Sequence, residues 1–270
     1  MTNGTTPNAA HTARLRRGAS ASVALFIVFL AAWQWGPGLL GIPSFIVPPL
    51  SSVAAEFVRA WQIYHLPLHT GVTVAEVLAG FILGSLLGAL VGYLLGMSPT
   101  AELALSPYIL ALQIAPKVAF APLFILWMGF TVYPKILVAI LIVFFPVMVN
   151  VLTAVRTIDP DLINLARAFK ASRAQIFWRI EFPSSMPPMF AGLRIGSTLA
   201  VVGVVVGELV GGNLGLGYLL TFGEGQANTA MVFVSIVMLT LVGGIAYVAV
   251  ILVERRVLHY LPARGVGGNF

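Results

Sequence analysis

The sequence predicts an all-α membrane protein, a polytopic bundle of about six transmembrane helices with both termini in the cytoplasm. Of the 270 residues, 59% are hydrophobic and only 9% are charged, and the mean hydropathy is +0.97. These values lie outside the range of soluble globular domains. The apolar residues gather into six stretches of about 20 residues, the length that an α-helix needs to cross the hydrocarbon core. The distribution of basic residues gives the orientation.

Each span must be a helix, because lipid offers no partner for backbone N–H and C=O groups. The six predicted spans cover residues 22–40, 72–96, 103–128, 136–155, 188–210 and 230–253. The third span contains Pro107, Pro116 and Pro122, so we expect it to be bent or broken. The segment between the first two spans is too polar to cross and predicts a loop plus a short interfacial helix, with Trp61 and Tyr64 at the headgroup level.

The spans divide the chain into an N-terminal tail of residues 1–21, a transmembrane domain of residues 22–261 with a cytoplasmic loop at 156–187, and a C-terminal tail of residues 262–270. Basic residues that flank spans stay in the cytoplasm. Those on the side shared by both termini are Arg14, Arg16, Arg17, Arg156, Arg167, Lys170, Arg173, Arg179, Arg255, Arg256 and Arg264. The other side has only Arg59 and Lys135. A cleaved signal peptide at the basic start is the alternative, but cleavage would leave five spans and remove this asymmetry.

Motifs for catalysis or nucleotide binding are absent from the sequence. Lys117, Lys135 and Lys170 follow Pro or Phe, so no Gly-Lys-Ser/Thr phosphate loop exists. His65 and His69 are four residues apart, but a proline lies between them and no glutamate follows the first, which argues against a metal site. The chain has no cysteine and no Gly-x-Ser-x-Gly elbow. The basic residues are spread over loops, so we expect no nucleic-acid binding.

Two of the predicted spans carry rows of glycine. The rows are Gly80, Gly84, Gly88, Gly92 and Gly96 in the second span, and Gly192, Gly196, Ala200, Gly203, Gly207 and Gly211 in the fifth. Spacing of four residues leaves one helix surface without side chains, against which another helix backbone can pack. The rows fit static packing, and they also fit helices that slide or rock during alternating access.

The loop between the fourth and fifth spans is the most charged part of the chain. Residues 156–181 hold 8 of the 24 charged residues (15 basic and 9 acidic). Asp159, Pro160 and Asp161 predict a helix start, because Pro suits the first turn and acids suit the positive end of the helix dipole. Apolar residues then recur at i, i+3, i+4 and i+7, namely at Leu162, Leu165, Ala166 and Phe169.

This periodicity predicts an amphipathic pair of cytoplasmic helices held against the bundle. Pro183, Pro187 and Pro188 are expected to break the chain before the fifth span. The alternative is a solvated loop whose charge serves only the membrane orientation.

This loop resembles the cytoplasmic loop of permease subunits of type I ABC importers. The family motif reads Glu-Ala-Ala, three residues, Gly, nine residues, Ile-x-Leu-Pro. Here the motif falls on residues 164–166, on Lys170 and on residues 180–183, with both spacings kept. Asn164, Lys170 and Phe182 replace the family's Glu, Gly and Leu. Losing the Gly puts the turn between the two short helices in doubt.

The segments "GLRIG" at residues 192–196 and "GELVGGNLGLGYLL" at residues 207–220 are similar to the nitrate, sulfonate, taurine and pyrimidine branch. The resemblance covers residues 72–261. It implies a multi-pass permease of the bacterial cytoplasmic (inner) membrane that forms a homodimer, docks two cytoplasmic ABC ATPase subunits and receives solute from an extracytoplasmic binding protein. It implies no enzyme activity and no cofactor in this chain, since the partner ATPase would bind ATP and magnesium.

The residues that the resemblance places at the ATPase contact are Asn164, Leu165, Ala166, Arg167, Phe169, Lys170, Ala171, Ile180 and Pro183. A secondary transporter or channel is the alternative of a different class, and a membrane-embedded enzyme or a scaffold is a third. A secondary transporter would place several ionisable residues in mid-membrane, and many are built from inverted repeats. The sequence has few such residues and no visible repeat.

Gln113, Lys117 and Glu208 are the candidates for the translocation path. An ammonium at membrane depth costs roughly 3 kcal/mol or more unless it meets water or a partner. Lys117 therefore lies at the interface in a re-entrant stretch, pairs with a carboxylate such as Glu208, or faces the path together with Gln113. The last alternative predicts a small organic anion such as a sulfonate, taurine or an aromatic carboxylate, or nitrate; a pyrimidine or other heterocycle is the other candidate solute.

Three ionisable residues, Glu208, Glu76 and Arg194, lie in or at the edge of the predicted spans, and each could have more than one role. Glu208 either lines the mouth of the path or braces the adjoining loop. We expect Glu76 to be an interfacial or helix-end group and Arg194 to snorkel or pair.

Overall fold

The computed structural model describes residues 9–259, and all regular elements within them are helical. The predicted C-terminal tail and the first eight residues of the predicted N-terminal tail lie outside these residues. The described chain forms two compact units. The first contains the residues up to Tyr64 together with Phe222–Val234, and the second contains His65–Thr221 and the residues from Ser235 onward.

The first unit begins with two helices, α1 (Ala9–Leu39) and α2 (Leu50–Gln62). Helix α1 starts before the predicted span because its first turns are rich in Ala, Arg and Leu, which are strong helix formers. Its apolar part, Ser20–Leu39, is long enough to cross a membrane. Helix α2 follows Pro49 and buries Val53 and Ala60 while Trp61 is exposed. The predicted loop and short helix are therefore confirmed.

The second unit contains most of the long helices. In chain order the helices after α2 are α3 (Leu66–Gly96), α4 (Pro99–Ile114), α5 (Ala121–Met128), α6 (Val132–Arg156), α7 (Pro160–Ala168), α8 (Arg173–Ile176), α9 (Phe182–Gly211), α10 (Leu216–Gly225) and α11 (Thr229–Val257). Helices α10 and α11 contribute residues to both units.

The number of spans agrees with the prediction. Among the described residues, five helices are long and apolar enough to cross a membrane. Helix α4 and the helical residues Lys117–Met128, a 3₁₀ turn followed by α5, form a sixth span if this bent pair crosses as one. This pair is bent by 78°. The bend lies at Ala115, whose ψ of 135° is extended because a following proline disfavours the helical conformation. The expected break in the third predicted span is confirmed.

Helix α6 forms the centre of the second unit and lies between the two glycine rows. Ala139, Val143 and Val147 each contact one glycine of α3 and at least one glycine of α9. The order of these contacts shows that α6 runs parallel to α3 and antiparallel to α9. A Cβ at Gly84 would lie 2.9 Å from the Ile140 carbonyl oxygen, and one at Gly207 would lie 2.8 Å from Lys135 Cα. The predicted backbone packing is confirmed, and such packing leaves no space for any side chain.

The predicted chain break before the fifth span is wrong. Residues Arg173–Gly211 form one continuous run of helix. The run contains a π-helical turn, Phe177–Glu181, in which the Phe182 N–H reaches back to the Phe177 carbonyl. This wider turn stands immediately before Pro183, where a regular helix would bring the ring against the preceding carbonyls. The Ser185 hydroxyl donates to the Phe182 carbonyl at 3.0 Å, which helps the helix continue.

Candidate functional site

The charged loop, which we call the basic segment (residues 156–183), is fixed at its start by polar contacts. Arg156, the last residue of α6, forms an ion pair with Glu102 of α4. The Asp159 carboxylate accepts the Asp161 N–H at 2.9 Å and caps α7, and Pro160 is the first residue of that helix. The predicted helix start is confirmed.

The apolar face of α7 is uncovered. None of its residues is buried, and the exposed fractions of Leu162, Leu165 and Phe169 are 45%, 55% and 79%. The expectation that this helix is held against the bundle is therefore wrong. The anchoring role falls to Ile158 before α7 and Ile176 after it, which are both buried. The amphipathic pattern describes a surface that this chain does not bury by itself.

The turn after α7 has a lysine at the position where the family motif has glycine. Lys170 has φ 55, in the left-handed region that favours glycine. The Lys170 N–H donates to the Arg167 carbonyl at 2.8 Å, and the Ala171 N–H donates to the Ala166 carbonyl at 3.0 Å. These two bonds form a Schellman motif, which ends the helix and reverses the chain. The turn between the two short helices therefore forms without glycine, because Lys170 adopts the left-handed conformation itself.

The helix that follows begins at a capping box that our sequence analysis missed. The Gln175 N–H donates to the Ser172 hydroxyl at 3.2 Å, and the Ser172 N–H donates to the Gln175 side-chain oxygen at 2.8 Å. The spacing Ser-x-x-Gln was a readable signal for it. An open groove of about 260 Å³ lies between α7 and this helix.

The groove brings together four of the residues that the resemblance places at the ATPase contact. Its lining includes Ala166, Phe169, Ala171 and Ile180. The other five do not line it: Asn164, Leu165, Arg167 and Lys170 are exposed on α7 and its turn, and Pro183 lies in α9. The basic segment thus presents a shallow apolar groove beside an apolar ridge.

The structure brings two of the path candidates together, Lys117 and Gln113, while the third, Glu208, has other partners. Lys117 Nζ donates to the Gln113 carbonyl oxygen at 2.6 Å and lies 4.7 Å from the centroid of the Phe145 ring. Gln113 is exposed at the end of α4. Lys117 is partly buried at the bend between α4 and α5, and its ammonium is stabilised by carbonyls and an aromatic face rather than by Glu208.

Glu208 belongs instead to a buried charge cluster, formed by Glu76, Lys135 and Glu208. Lys135 Nζ donates to Glu76 Oε1 at 2.8 Å, and both side chains are at most 5% exposed. Glu208 Oε1 accepts the Thr73 hydroxyl at 2.7 Å, and Oε2 accepts the Gly217 N–H at 2.6 Å. Glu76 lies inside α3 and Lys135 in the first turn of α6, one residue before the predicted fourth span, and both are buried in the protein. The expectation that Glu76 is an interfacial or helix-end group stays a prediction. A buried ammonium needs a buried carboxylate, and α3 supplies one.

The loop after α9 is folded around this cluster. The Leu216 N–H donates to the Thr73 hydroxyl at 2.8 Å, and the Gly215 N–H donates to His69 Nδ1 at 3.0 Å. Gly215 has φ 113, and a side chain there would collide with the Glu208 carboxylate. Glu208 therefore braces the loop. The glycine-rich sequence after Glu208 was a signal of this close approach.

One predicted pairing is present in α9. Arg194 Nε donates to Glu254 Oε2 at 2.6 Å, and a second guanidinium nitrogen binds the other carboxylate oxygen. The expectation that Arg194 pairs is confirmed. A bidentate pair of this kind ties α9 to α11.

Comparison with known proteins finds a consistent set of similarities. The model of the family described as "Binding-protein-dependent transport system inner membrane component" matches residues 80–259. The chain is 42% identical over 243 residues to a riboflavin transport system permease protein of Chloroflexus aurantiacus, covering 90% of each chain. It is 32% identical to an aliphatic sulfonates transport permease protein of Bacillus subtilis, over 92% of this chain and 90% of that one.

A solved structure shows a similar fold. An inward-facing methionine ABC transporter matches with a TM-score of 0.53 at 18% identity, over 71% of this chain and 97% of the solved one. At that identity the match concerns the fold alone.

Proposed function

The chain belongs to the family of binding-protein-dependent transport system inner membrane components, and from this premise we propose that it carries a heterocyclic solute across the membrane. It is the permease component of an ABC importer in the bacterial inner membrane, with several membrane-crossing helices. Importers of this family work with an ATPase and a binding protein. The solute, the stoichiometry and the residues that make the contacts belong to the proposal.

The exposed apolar face of α7 is the observation that supports placing the ATPase contact there. Leu165 and Phe169 form an exposed apolar ridge, and Arg167 and Lys170 stand beside it. Exposed apolar surface rimmed by polar groups is typical of a protein interaction site. In the proposed assembly two copies of this chain dock two ATPase subunits through this surface. The ATPases bind ATP and magnesium, and both termini of this chain lie in the cytoplasm with the basic segment.

Ala166→Asp tests the contact. Ala166 lines the groove beside α7, so an aspartate there would place an unpaired charge in the docked surface, and we expect transport to be lost. The measurement is solute uptake by proteoliposomes that contain the complex, together with co-purification of the ATPase.

The matched control is Ala168→Asp, the same change on an exposed position of α7 that does not line the groove. We expect it to transport at the wild-type rate. Wild-type transport by an assembled Ala166→Asp complex would contradict the assignment.

A heterocyclic solute is favoured over the small organic anion that the sequence alone suggested. The relative named for riboflavin is 42% identical to this chain, whereas the relative named for sulfonates is 32% identical. The expectation of an anion rested on the charge of Lys117 and on the similarity to a branch that includes nitrate, sulfonate and taurine permeases, and the Lys117 ammonium already bonds to the Gln113 carbonyl at 2.6 Å. The anion stays as the second candidate, because Lys117 is partly exposed.

Transport of riboflavin and of an alkanesulfonate, each with wild type and Lys117→Met, separates the candidates. We expect uptake of the heterocycle, and we expect that uptake to survive Lys117→Met. Uptake of the sulfonate that is lost in Lys117→Met would instead establish the anionic solute and a direct role for Lys117.

A further inference from the structure

A buried hydrogen bond joins the basic segment to the transmembrane bundle. Glu181, the last residue of the π-helical turn, is 5% exposed. Its Oε2 accepts the hydroxyl of Tyr93, in α3, at 2.8 Å. Among residues 20–259, no basic side chain lies within ion-pair distance of this carboxylate. We call this bond the Tyr93–Glu181 tie.

Tyr93 contacts both ends of the π-helical turn. Its hydroxyl holds Glu181, and its ring meets the ring of Phe177 edge-on, with centroids 5.1 Å apart. Phe177 is the first residue of the same turn. One side chain of α3 therefore spans the whole irregular part of the helical run Arg173–Gly211.

The other side of this contact is closely packed. Gly92, the neighbour of Tyr93, packs directly on the backbone of Met148 in α6, and Gly96 packs on Val155. Tyr93 therefore lies where α3 and α6 meet backbone to backbone, so a displacement of Tyr93 acts on α3 at its contact with α6.

The π-helical turn is the deformable part of the run. Such turns carry one residue more than an α-helical turn, with poorer packing, and they are frequent at functional sites. The run Arg173–Gly211 passes through this turn without interruption, so a displacement of the basic segment reaches α9 through the π-helical turn. A hydrogen bond to a charged group is stronger than one between two neutral groups. Its loss here would leave the buried Glu181 carboxylate without the Tyr93 hydroxyl.

We propose that the Tyr93–Glu181 tie positions the π-helical turn so that a displacement of the basic segment moves α3 and α9 as one body. The inference rests on the proposed function, because it concerns how ATPase movement reaches the solute path. Tyr93 and Glu181 are positioning residues in this proposal. Neither contacts the solute or the ATPase.

The test compares solute imported per ATP hydrolysed in proteoliposomes that contain the complete importer. Tyr93→Phe removes the donor and keeps the ring against Phe177. Glu181→Leu removes the acceptor, and Glu181→Gln keeps an acceptor oxygen without the charge. We expect the ratio to fall about tenfold in Tyr93→Phe and in Glu181→Leu, because both lose the hydrogen bond, and to stay near wild type in Glu181→Gln, which keeps an acceptor for the Tyr93 hydroxyl. ATP hydrolysis without solute should persist in all three.

The matched control is Tyr108→Phe, the same change at a tyrosine of α4 that is 67% exposed. It should leave the ratio unchanged. A bond that only stabilised the fold would lower assembly and thermal stability without lowering the ratio in the complexes that form. A wild-type ratio in Tyr93→Phe, or a loss in Glu181→Gln as large as in Glu181→Leu, overturns the proposal. If the wild-type complex shows no coupled import, the proposed function fails, and the tie fails with it.

Discussion

The two ends of the α3–α6–α9 bundle hold charged residues in opposite ways. At one end Glu76, Lys135 and Glu208 are at most 4% exposed, and each has a partner within hydrogen-bond distance. At the other end lies the basic segment, whose exposed residues include Arg167, Lys170, Arg173 and Arg179. In the part of the chain that the structure describes, none of these four forms an ion pair.

The difference separates internal structure from contact with a partner. A buried charge costs several kcal/mol unless it is paired, so the positions of the buried charge cluster are set by the fold. Exposed basic side chains carry no such cost and remain available to a partner surface. Charge alone therefore does not mark a functional site in this chain. Burial decides which charges hold the fold and which are presented to the ATPase in the proposed assembly.

The backbone shows the same contrast. Gly215, beside the buried charge cluster, has φ 113 and no room for a side chain. Lys170, in the basic segment, has a left-handed φ of 55 and carries a long side chain into open space. The buried turn requires glycine both for its backbone conformation and for lack of space. The exposed turn favours glycine for its backbone conformation alone.

Lys135→Met is the change with the largest expected effect. It removes the counter-ion of Glu76 from a site where Lys135 itself is 4% exposed, and leaves a buried carboxylate without its cation. We expect the free energy of unfolding to fall by about 3–5 kcal/mol, the usual cost of breaking a buried pair from one side. Thermal unfolding in detergent measures this effect.

The double variant Glu76→Gln/Lys135→Met is its control. Removing both charges should recover much of the loss, because no unpaired ion remains. Arg173→Met, which removes an exposed cation from the basic segment, should change the free energy of unfolding by no more than about 0.5 kcal/mol. A loss as large as that of Lys135→Met would break the contrast between the two ends.

Local and periodic features could be predicted from the sequence. The spans follow from runs of apolar residues, the bend between α4 and α5 from proline, and the start of α7 from Asp159 and Pro160. The glycine rows also predicted the packing around α6, because a surface without side chains admits a neighbouring backbone.

The rest depends on which distant residues meet. Glu76 and Lys135 are 59 positions apart, and Thr73 and Glu208 are 135 apart, so no local pattern joins them. The amphipathic pattern of α7 showed an apolar face but could not say that the chain leaves that face uncovered. The prolines before the fifth predicted span suggested a break, whereas the π-helical turn Phe177–Glu181 lets the helix continue. Each of these outcomes is decided by tertiary packing.

Lys170→Gly has the smallest expected effect and sharpens the backbone contrast. A left-handed conformation is strained for lysine and free for glycine, so the substitution should raise the free energy of unfolding by up to about 1 kcal/mol. Lys170→Ala is the matched control. It removes the same charge but keeps a Cβ at the left-handed position, so it should bring no gain, and Gly215→Ala at the buried turn should lower stability. Chemical denaturation of the three variants, or hydrogen exchange at the Ala171 N–H that closes the turn, measures the differences. A loss of stability in Lys170→Gly would show that the lysine side chain contributes a contact at this end, and the exposed turn would then be constrained by packing as the buried one is.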